Sequence, residues 1–313
     1  MSPVHTQHPE QNTDPDPKSG LLTARTYAKI NLILKVGQLD QSGMHPICSW
    51  MHSINLWDEL SVEHISGSTS EFDIRWDDGR AVDWTLESDL VFKVHQRMEQ
   101  RMSRPMPVRV VLKKSIPSGG GLGGGSSNAA GMAMALNQLF SCSFSERELQ
   151  ELVHKIGSDI PFFVDLESFN ASSAAGPAVV EGIGDQITRT HRVDHELTLL
   201  IPDFGCPTGD VYRAFDQLAA ESKIGVSDMS AVHGAAQNST LDPGSLVNDL
   251  TSPALRSVPE LSTLMSKIRQ AGIDAKLSGS GSTMFVLGHL GSQEVDQLRT
   301  IDPAMSVLRT KLV

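Results

Sequence analysis

The chain is poor in everything that would mark it as secreted, membrane-bound or nucleic-acid-binding. Its 313 residues hold three cysteines, Cys48, Cys142 and Cys206. Odd in number and widely spaced, they form neither a disulfide framework nor a metal-ligand pattern, and they predict a reducing compartment. No apolar run approaches the length of a membrane span. No basic stretch followed by an apolar one opens the chain, so the cytoplasm is the expected location and a membrane the wrong partner. Basic charge is scarce as well. Lys and Arg number 26 against 37 Asp and Glu, leaving a net charge of −11 and a pI near 5.4. A nucleic-acid partner, which needs a broad basic footprint, is excluded on that ground. A small anion is not, because local donors override net charge. Internal repeats are also missing.

Glycine is what the chain has, and in one place. Six glycines fall in the seven positions from Gly119 to Gly125, within Pro117-Ser-Gly-Gly-Gly-Leu-Gly-Gly-Gly-Ser-Ser-Asn-Ala-Ala-Gly131. Glycine loses more backbone entropy on folding than any other residue, so this density needs a purpose. A β-like run, Val108–Leu112, precedes it, and an apolar helical pattern through Ala129, Ala133, Leu136 and Phe140 follows. Strand, glycine turn and helix together predict a backbone cradle for an anion, with the helix N-terminus adding partial positive charge. Ser126, Ser127 and Asn128 are placed to cap that helix or to offer polar groups to a phosphate.

Residues 1–20 are polar and aperiodic and predict a disordered tail. From Tyr27, Ala28, Ile30, Leu32, Leu34 and Val36 alternate with Lys29, Asn31, Ile33 and Lys35, a strand that puts Lys29 and Asn31 on one face. A second β-like run follows through Ile54, Leu56, Leu60 and Val62, and residues 66–88 predict short strands and turns. Asp89 is placed to cap a helix carrying Leu90, Val91, Val94 and Met98. Ser145 and Glu148 form a capping box for a helix with Leu149, Leu152, Val153 and Ile156 on its core face, stopped by Gly157. Asp159 sits between that stop and an apolar run; burial there is costly unless it is paired. A turn-rich segment with Gly176, Gly182 and Gly184 follows. The remainder predicts a strand over Leu197–Ile201, a loop from Pro202 to Asp210, helices near Asp210–Ala220 and Glu260–Ala271, a polar region between them, and a Gly/Ser turn at Leu277–Ser282 before the strand Met284–Leu287. Irregular alternation of helices and strands points to an α+β fold.

Three phosphate-binding designs compete for the glycine loop. A P-loop ends in Gly-Lys-Ser/Thr, whereas Gly125 is followed by Ser126-Ser127-Asn128. A dinucleotide fingerprint fits Gly119, Gly121 and Gly124 but lacks the later strand-end acid for the ribose. The third design, Pro-x-Gly-x-Gly-Leu-Gly-Gly-Gly-Ser-Ser-Asn-Ala-Ala, fits residue for residue from Pro117 to Ala130. It resembles the loop of the galactokinase, homoserine kinase, mevalonate kinase and phosphomevalonate kinase superfamily. Ala28–Leu32, Trp57–Leu60 (at the end of the second strand), Gly157–Phe163, Asn248–Leu250 and Leu277–Gly281 are similar to further motifs of the branch that phosphorylates a cytidylylated methylerythritol.

The resemblance implies a two-domain α+β architecture, a ribosomal-protein-S5-like half over 21–188 and a ferredoxin-like half over 189–313, with the active site between them. It implies γ-phosphoryl transfer from ATP, with Mg²⁺, to the 2-hydroxyl of a small diphosphate-carrying alcohol. Asp159 would be the base and Lys29 its partner. Pro117, Gly119, Gly120, Gly121, Leu122, Gly123, Gly124, Gly125, Ser126, Ser127 and Asn128 would hold ATP; Asn31, His45, Thr208, Tyr212, Gly279 and Gly281 would hold the acceptor. The metal ligands are not implied, and monomer and homodimer both remain open. Met44 stands where that branch has a stacking Tyr, and the branch's acid and arginine are missing at Ser42 and Gln38-Leu39, leaving His45 and Tyr212 for the cytosine. A sibling kinase for homoserine or a mevalonate derivative, a non-catalytic nucleotide binder and a dinucleotide oxidoreductase stay as alternatives.

Overall fold

A computed structural model describes residues 20–41, 43–222, 229–238 and 240–313. The predicted tail (but for Gly20), Ser42 and part of the polar region after residue 222 lie outside the described residues. In chain order the elements are β1 (Leu21–Val36), β2 (Ile47–His64), β3 (Glu71–Trp76), α1 (Leu90–Met102), β4 (Val108–Lys114), α2 (Gly124–Leu139), α3 (Glu146–His154), α4 (Ile160–Phe163), α5 (Leu166–Asn170), β5 (Ala178–Gly182), β6 (Gln186–Arg189), β7 (Glu196–Ile201), α6 (Thr208–Ala220), α7 (Ser230–Ala236), α8 (Thr251–Ser257), α9 (Pro259–Gln270), β8 (Lys276–Leu277), β9 (Met284–Leu287), α10 (Ser292–Ile301) and β10 (Ser306–Lys311).

Two sheets result. The first runs β3-β4-β2-β5-β6, with β1 also paired to the long β2; the second runs β10-β7-β9-β8. The α+β expectation holds. β1 does more than alternate. Its register against β2 slips between Tyr27 and Lys29 and again between Asn31 and Ile33. Such bulges twist a strand and re-aim side chains, and here they bracket the two polar residues. The apolar side of β1 (Ala28, Ile30, Leu32) packs with Leu197, Leu199 and Phe285 of the second sheet. From Ala28 to Leu34 β1 is therefore buried on both sides, and Lys29 and Asn31 face a cleft rather than solvent.

The halves also share backbone hydrogen bonds. Leu34 N–H donates to Val247 O and Asp249 N–H to Leu34 O, both at 2.9 Å. The first sheet's own core lies under α1, α2 and α3. Small residues let α2 lie close to it: a Cβ on Gly131 would stand 2.6 Å from Thr26 Cγ2. Asp89 caps α1 by accepting from Val91 N–H at 2.8 Å, and the Ser145–Glu148 box caps α3, each worth about 1 kcal/mol.

Four local expectations need correction. α2 begins at Gly124, with Gly123 at its N-cap in the left-handed region, so Ser126, Ser127 and Asn128 lie inside the helix and cap nothing. Its alanines show the periodicity, but its first turn is glycine and carries none. β2 does not end at Trp57–Leu60 but continues to His64, because β4 pairs with it over Glu59–His64. The stretch around Gly176–Gly184 is the hairpin β5–β6, with Gly182 and Gly184 at positive φ in its turn. α3 stops at His154 with Lys155 at its C-cap, ahead of Gly157.

Candidate active site

The glycine loop is left-handed at alternate positions, with φ of +74° at Gly119, +78° at Gly121 and +71° at Gly123. Such a backbone turns its N–H groups inward as an anion nest. The first N–H of α2 to find a helical carbonyl is that of Ser127, to Gly123 O at 2.9 Å, so those of Gly124, Gly125 and Ser126 remain directed outward. The loop lines a cleft of about 430 Å³ with Pro117, Ser126, Asn128, Trp84 and Lys114. Two of the expected phosphate residues turn elsewhere. The Leu122 side chain is in the core and its carbonyl accepts from Lys29 N–H at 2.9 Å. Ser127 faces a separate small pocket beside Thr26 and Tyr27.

A second cleft, about 690 Å³, adjoins the first and shares Gly119, Gly121 and Ser126 with it. It contains Lys29, Asn31, Met44, His45, Asp159, Thr208, Tyr212 and Gly279. Lys29 Nζ lies 3.3 Å from Asp159 Oδ2; the lysine is buried and the carboxylate is 35% exposed. The ammonium also donates to Asn31 Oδ1 at 2.7 Å, and Asn31 Nδ2 donates to Ser49 Oγ at 2.8 Å. Asp159 occupies the N-cap position of α4 without making the capping hydrogen bond. Its carboxylate is thus committed to the lysine and the cleft.

The Gly/Ser turn at Leu277–Ser282 closes over this pair. A Cβ on Gly279 would lie 3.2 Å from Asn31 Oδ1 and 3.5 Å from Lys29 Nζ, and one on Gly121 would lie 2.5 Å from Ser278 O. Gly279 therefore lies against the site as expected. A Cβ on Gly281 would point at Leu277 and Cys206, while the Gly281 backbone lies against Gly121 of the glycine loop. Thr208 starts α6 and bonds the turn through Ser280 Oγ at 3.0 Å.

At the far end of the larger cleft the structure alters one expectation. His45 and Tyr212 do not face each other across a slot: their rings pack together with centroids 5.4 Å apart, tilted by 32°. A base held between two rings needs them about 7 Å apart, two van der Waals contacts. The imidazole is held by Nδ1, 2.9 Å from Gly37 O; Nε2 lies 3.1 Å from Asp216 Oδ1 but makes no hydrogen bond with it. His45 thus braces Tyr212, which presents its remaining face to the cleft beside the exposed Met44. Burial, with the charge of Asp159 adding to it, pushes the Tyr212 phenol up to about 12, so it stays protonated as a donor.

Two groups that hold the site in shape, Asp58 and Asn248, fall within motifs of the resemblance, but the sequence assigns neither a role. Asp58, fully buried, accepts four hydrogen bonds: Ser115 N–H at 2.6 Å, Ile116 N–H at 2.7 Å, Lys114 Nζ at 2.8 Å and Asn128 Nδ2 at 2.8 Å. It ties β2 to the entrance of the glycine loop and to α2. Asn248 Nδ2 donates to Leu277 O at 2.9 Å and Gly279 O at 2.8 Å, pinning the second glycine turn. An acid inside a strand and an asparagine before a helix were the available signals, and both are ordinary on their own.

Comparison with known proteins agrees with this geometry. The family description "GHMP kinases N terminal domain" matches residues 89–165, and "GHMP kinases C terminal" matches residues 189–299. A 4-diphosphocytidyl-2-C-methyl-D-erythritol kinase of Thermodesulfovibrio yellowstonii is 34% identical over 273 residues, covering 85% of this chain and 90% of its own length. The same-named kinase of Cutibacterium acnes is 31% identical over 271 residues, covering 84% of each. A crystal structure of 4-(cytidine 5'-diphospho)-2C-methyl-D-erythritol kinase superposes with a TM-score of 0.68 at 26% identity, covering 93% of this chain and 99% of that one. L. major mevalonate kinase, at 14% identity and a TM-score of 0.64 over 95% of this chain and 98% of that one, shares the fold. On the strength of the two matched family regions, the relatives and the paired clefts, the chain belongs to the GHMP kinases and is a small-molecule kinase.

Proposed function

We propose that this kinase transfers the γ-phosphoryl group of ATP to the 2-hydroxyl of 4-diphosphocytidyl-2-C-methyl-D-erythritol, a step of non-mevalonate isoprenoid precursor synthesis in the cytoplasm. The observation that carries the proposal is the Lys29–Asp159 pair, 3.3 Å apart, in a cleft that shares the wall Gly119, Gly121 and Ser126 with the glycine-lined cleft. Donor and acceptor would meet across that wall.

In this reading the outward N–H groups of Gly124, Gly125 and Ser126 bind phosphate oxygens at the α2 N-terminus. The oxygen-rich phosphates and the Ser126 hydroxyl are a donor set of the kind Mg²⁺ takes, and the ion would supply neutralisation of phosphate charge. Asp159 accepts the proton of the attacking hydroxyl, and Lys29 stabilises the oxygen as it becomes anionic. Asn31 holds Lys29 in place through its Oδ1. The Gly279 turn excludes water from the reacting end. Tyr212 offers its open face to the cytosine, with Met44 as the second wall.

The test is a coupled ADP-release assay with the cytidylyl alcohol, homoserine and mevalonate side by side. Turnover of the first alone supports the assignment; turnover of either competitor without it overturns the acceptor. In Asp159→Asn, kcat should fall by about two orders of magnitude or more, with ATP affinity retained. Near-normal turnover in that variant would remove Asp159 from the base role.

A further inference from the structure

Behind the larger cleft, on the opposite side of β2 from Ile47, three side chains of different chemistry converge from three elements. Cys48 lies on β2, Glu181 directly opposite it on β5, and His233 on α7. Their ligand atoms all fall within 4.8 Å of one another. His233 Nε2 is 3.0 Å from Glu181 Oε1, and Cys48 Sγ is 3.9 Å from that same oxygen. Among the described residues this is the one such group of three.

We propose that Cys48, Glu181 and His233 form a binding site for a zinc-like divalent cation that fastens α7 to the first sheet. The donor set is one soft sulfur, one imidazole nitrogen and one carboxylate oxygen, the mixture zinc accepts and magnesium does not. Metal–ligand bonds of about 2.3 Å to one sulfur and about 2.0 Å to nitrogen and oxygen in a tetrahedron hold ligand atoms about 3.3–3.5 Å apart. With every pair within 4.8 Å, the spacings need to change by about 1.3 Å at most. A thiolate and a carboxylate cancel the charge of a divalent ion, and the fourth position opens to water, since the His233 side chain is 44% exposed. Binding replaces the S–H bond of Cys48 by an S–metal bond and releases that proton to solvent.

Position gives the site a consequence. α7 packs on β2 and β5, and Met229, just before it, lies against Gly37, whose carbonyl anchors His45. Metal at this triad would therefore steady the β1–β2 connection that carries Met44 and His45 to the acceptor cleft. It is separate from the Mg²⁺ that accompanies ATP and independent of which alcohol is phosphorylated.

The experiment is cobalt substitution on the full chain stripped with chelator, followed by competition with ZnCl₂. The expected result is one equivalent of Co²⁺ with a thiolate-to-cobalt charge-transfer band, displaced by zinc. In His233→Ala, a change on a helix surface, affinity should drop at least tenfold; in Cys48→Ala the band should vanish, while Cys142→Ala leaves it unchanged. Substoichiometric binding by the wild-type chain, a spectrum without the thiolate band, or full affinity in His233→Ala would each overturn the proposal. Should Cys48→Ala fail to fold, the wild-type spectrum and the His233→Ala arm decide the question alone.

Discussion

Asp58→Ala and Lys114→Met cut one buried ion pair from opposite ends, and the two ends are differently furnished. The lysine is 4% exposed and its partner is fully buried. Without the carboxylate, an ammonium is left buried and unpaired, a loss of about 3–5 kcal/mol. Two backbone N–H groups and the Asn128 amide also lose their acceptor, at about 1–3 kcal/mol each. Both Lys114 and Asn128 line the glycine-side cleft, so water recovers part of this, and the expected net loss is about 4–6 kcal/mol. Lys114→Met behaves otherwise. Asp58 keeps the Ser115, Ile116 and Asn128 donors, and the methionine stem keeps much of the contact with Trp76, whose ring centroid lies 5.9 Å from Nζ. Losing one charge-assisted hydrogen bond costs about 1.5–3 kcal/mol. Urea unfolding followed by tryptophan fluorescence, with the double mutant completing the cycle, measures both. Asp58→Ala should be the costlier single change, and the double mutant less unstable than the sum of the two. A Lys114→Met loss equal to or above that of Asp58→Ala would refute the claim that the backbone donors carry the carboxylate.

Two further outcomes follow from particular residues. Burial lowers the His52 imidazole to about 4, while its Nε2 accepts from Val193 N–H at 3.3 Å. The neutral form is favoured in the fold, so this group's contribution is complete above the unfolded value of 6.5 and is lost as pH falls toward 4. The loss reaches roughly 3 kcal/mol once both states are protonated. Unfolding midpoints at pH 7 and pH 4.5 should converge in His52→Asn relative to the unsubstituted protein; equal slopes in the two would contradict it. Gly121→Ala adds a Cβ 2.5 Å from Ser278 O at φ +78°, whereas Gly119→Ala enters open space at φ +74°. Both carry backbone strain of about 1–2 kcal/mol, but only the first forces the two glycine turns apart. KM for ATP should rise at least tenfold in Gly121→Ala and much less in Gly119→Ala, and matching kinetics would show that the contact with Ser278 is unimportant.

The reacting end of the site was legible because its chemistry is local in sequence. The glycine run announces itself over a few residues; Lys29 on its strand and Asp159 after a helix are ordinary alone and take their roles from the ordered motifs of the resemblance, and the structure brings all three to adjoining clefts. The acceptor end was not. Whether His45 and Tyr212 enclose a slot or pack on each other depends on how the segment after β1, at Gly37, meets Phe215 and Asp216 of α6, far away in sequence. Asp58 reads in the sequence only as part of a strand, since its four partners come from β4, the segment after it and α2. The Cys48–Glu181–His233 triad is spread over most of the chain, so no spacing rule reveals it; only the pairing of β2 with β5 and the docking of α7 do.

The splice at Leu34 bears on how the protein can be divided. The two matched family regions suggest modules exchangeable at the connection between Arg189 and Glu196. The strand carrying Lys29 contradicts that: it is hydrogen-bonded to β2 along one edge and to Val247 and Asp249 of the other half at Leu34, with its apolar side filling the junction core. Severed there, the first half would keep the lysine but lose part of the scaffold that aims it. A chimaera that swaps one half must therefore also carry matching residues at Ala28, Ile30, Leu32 and Leu34.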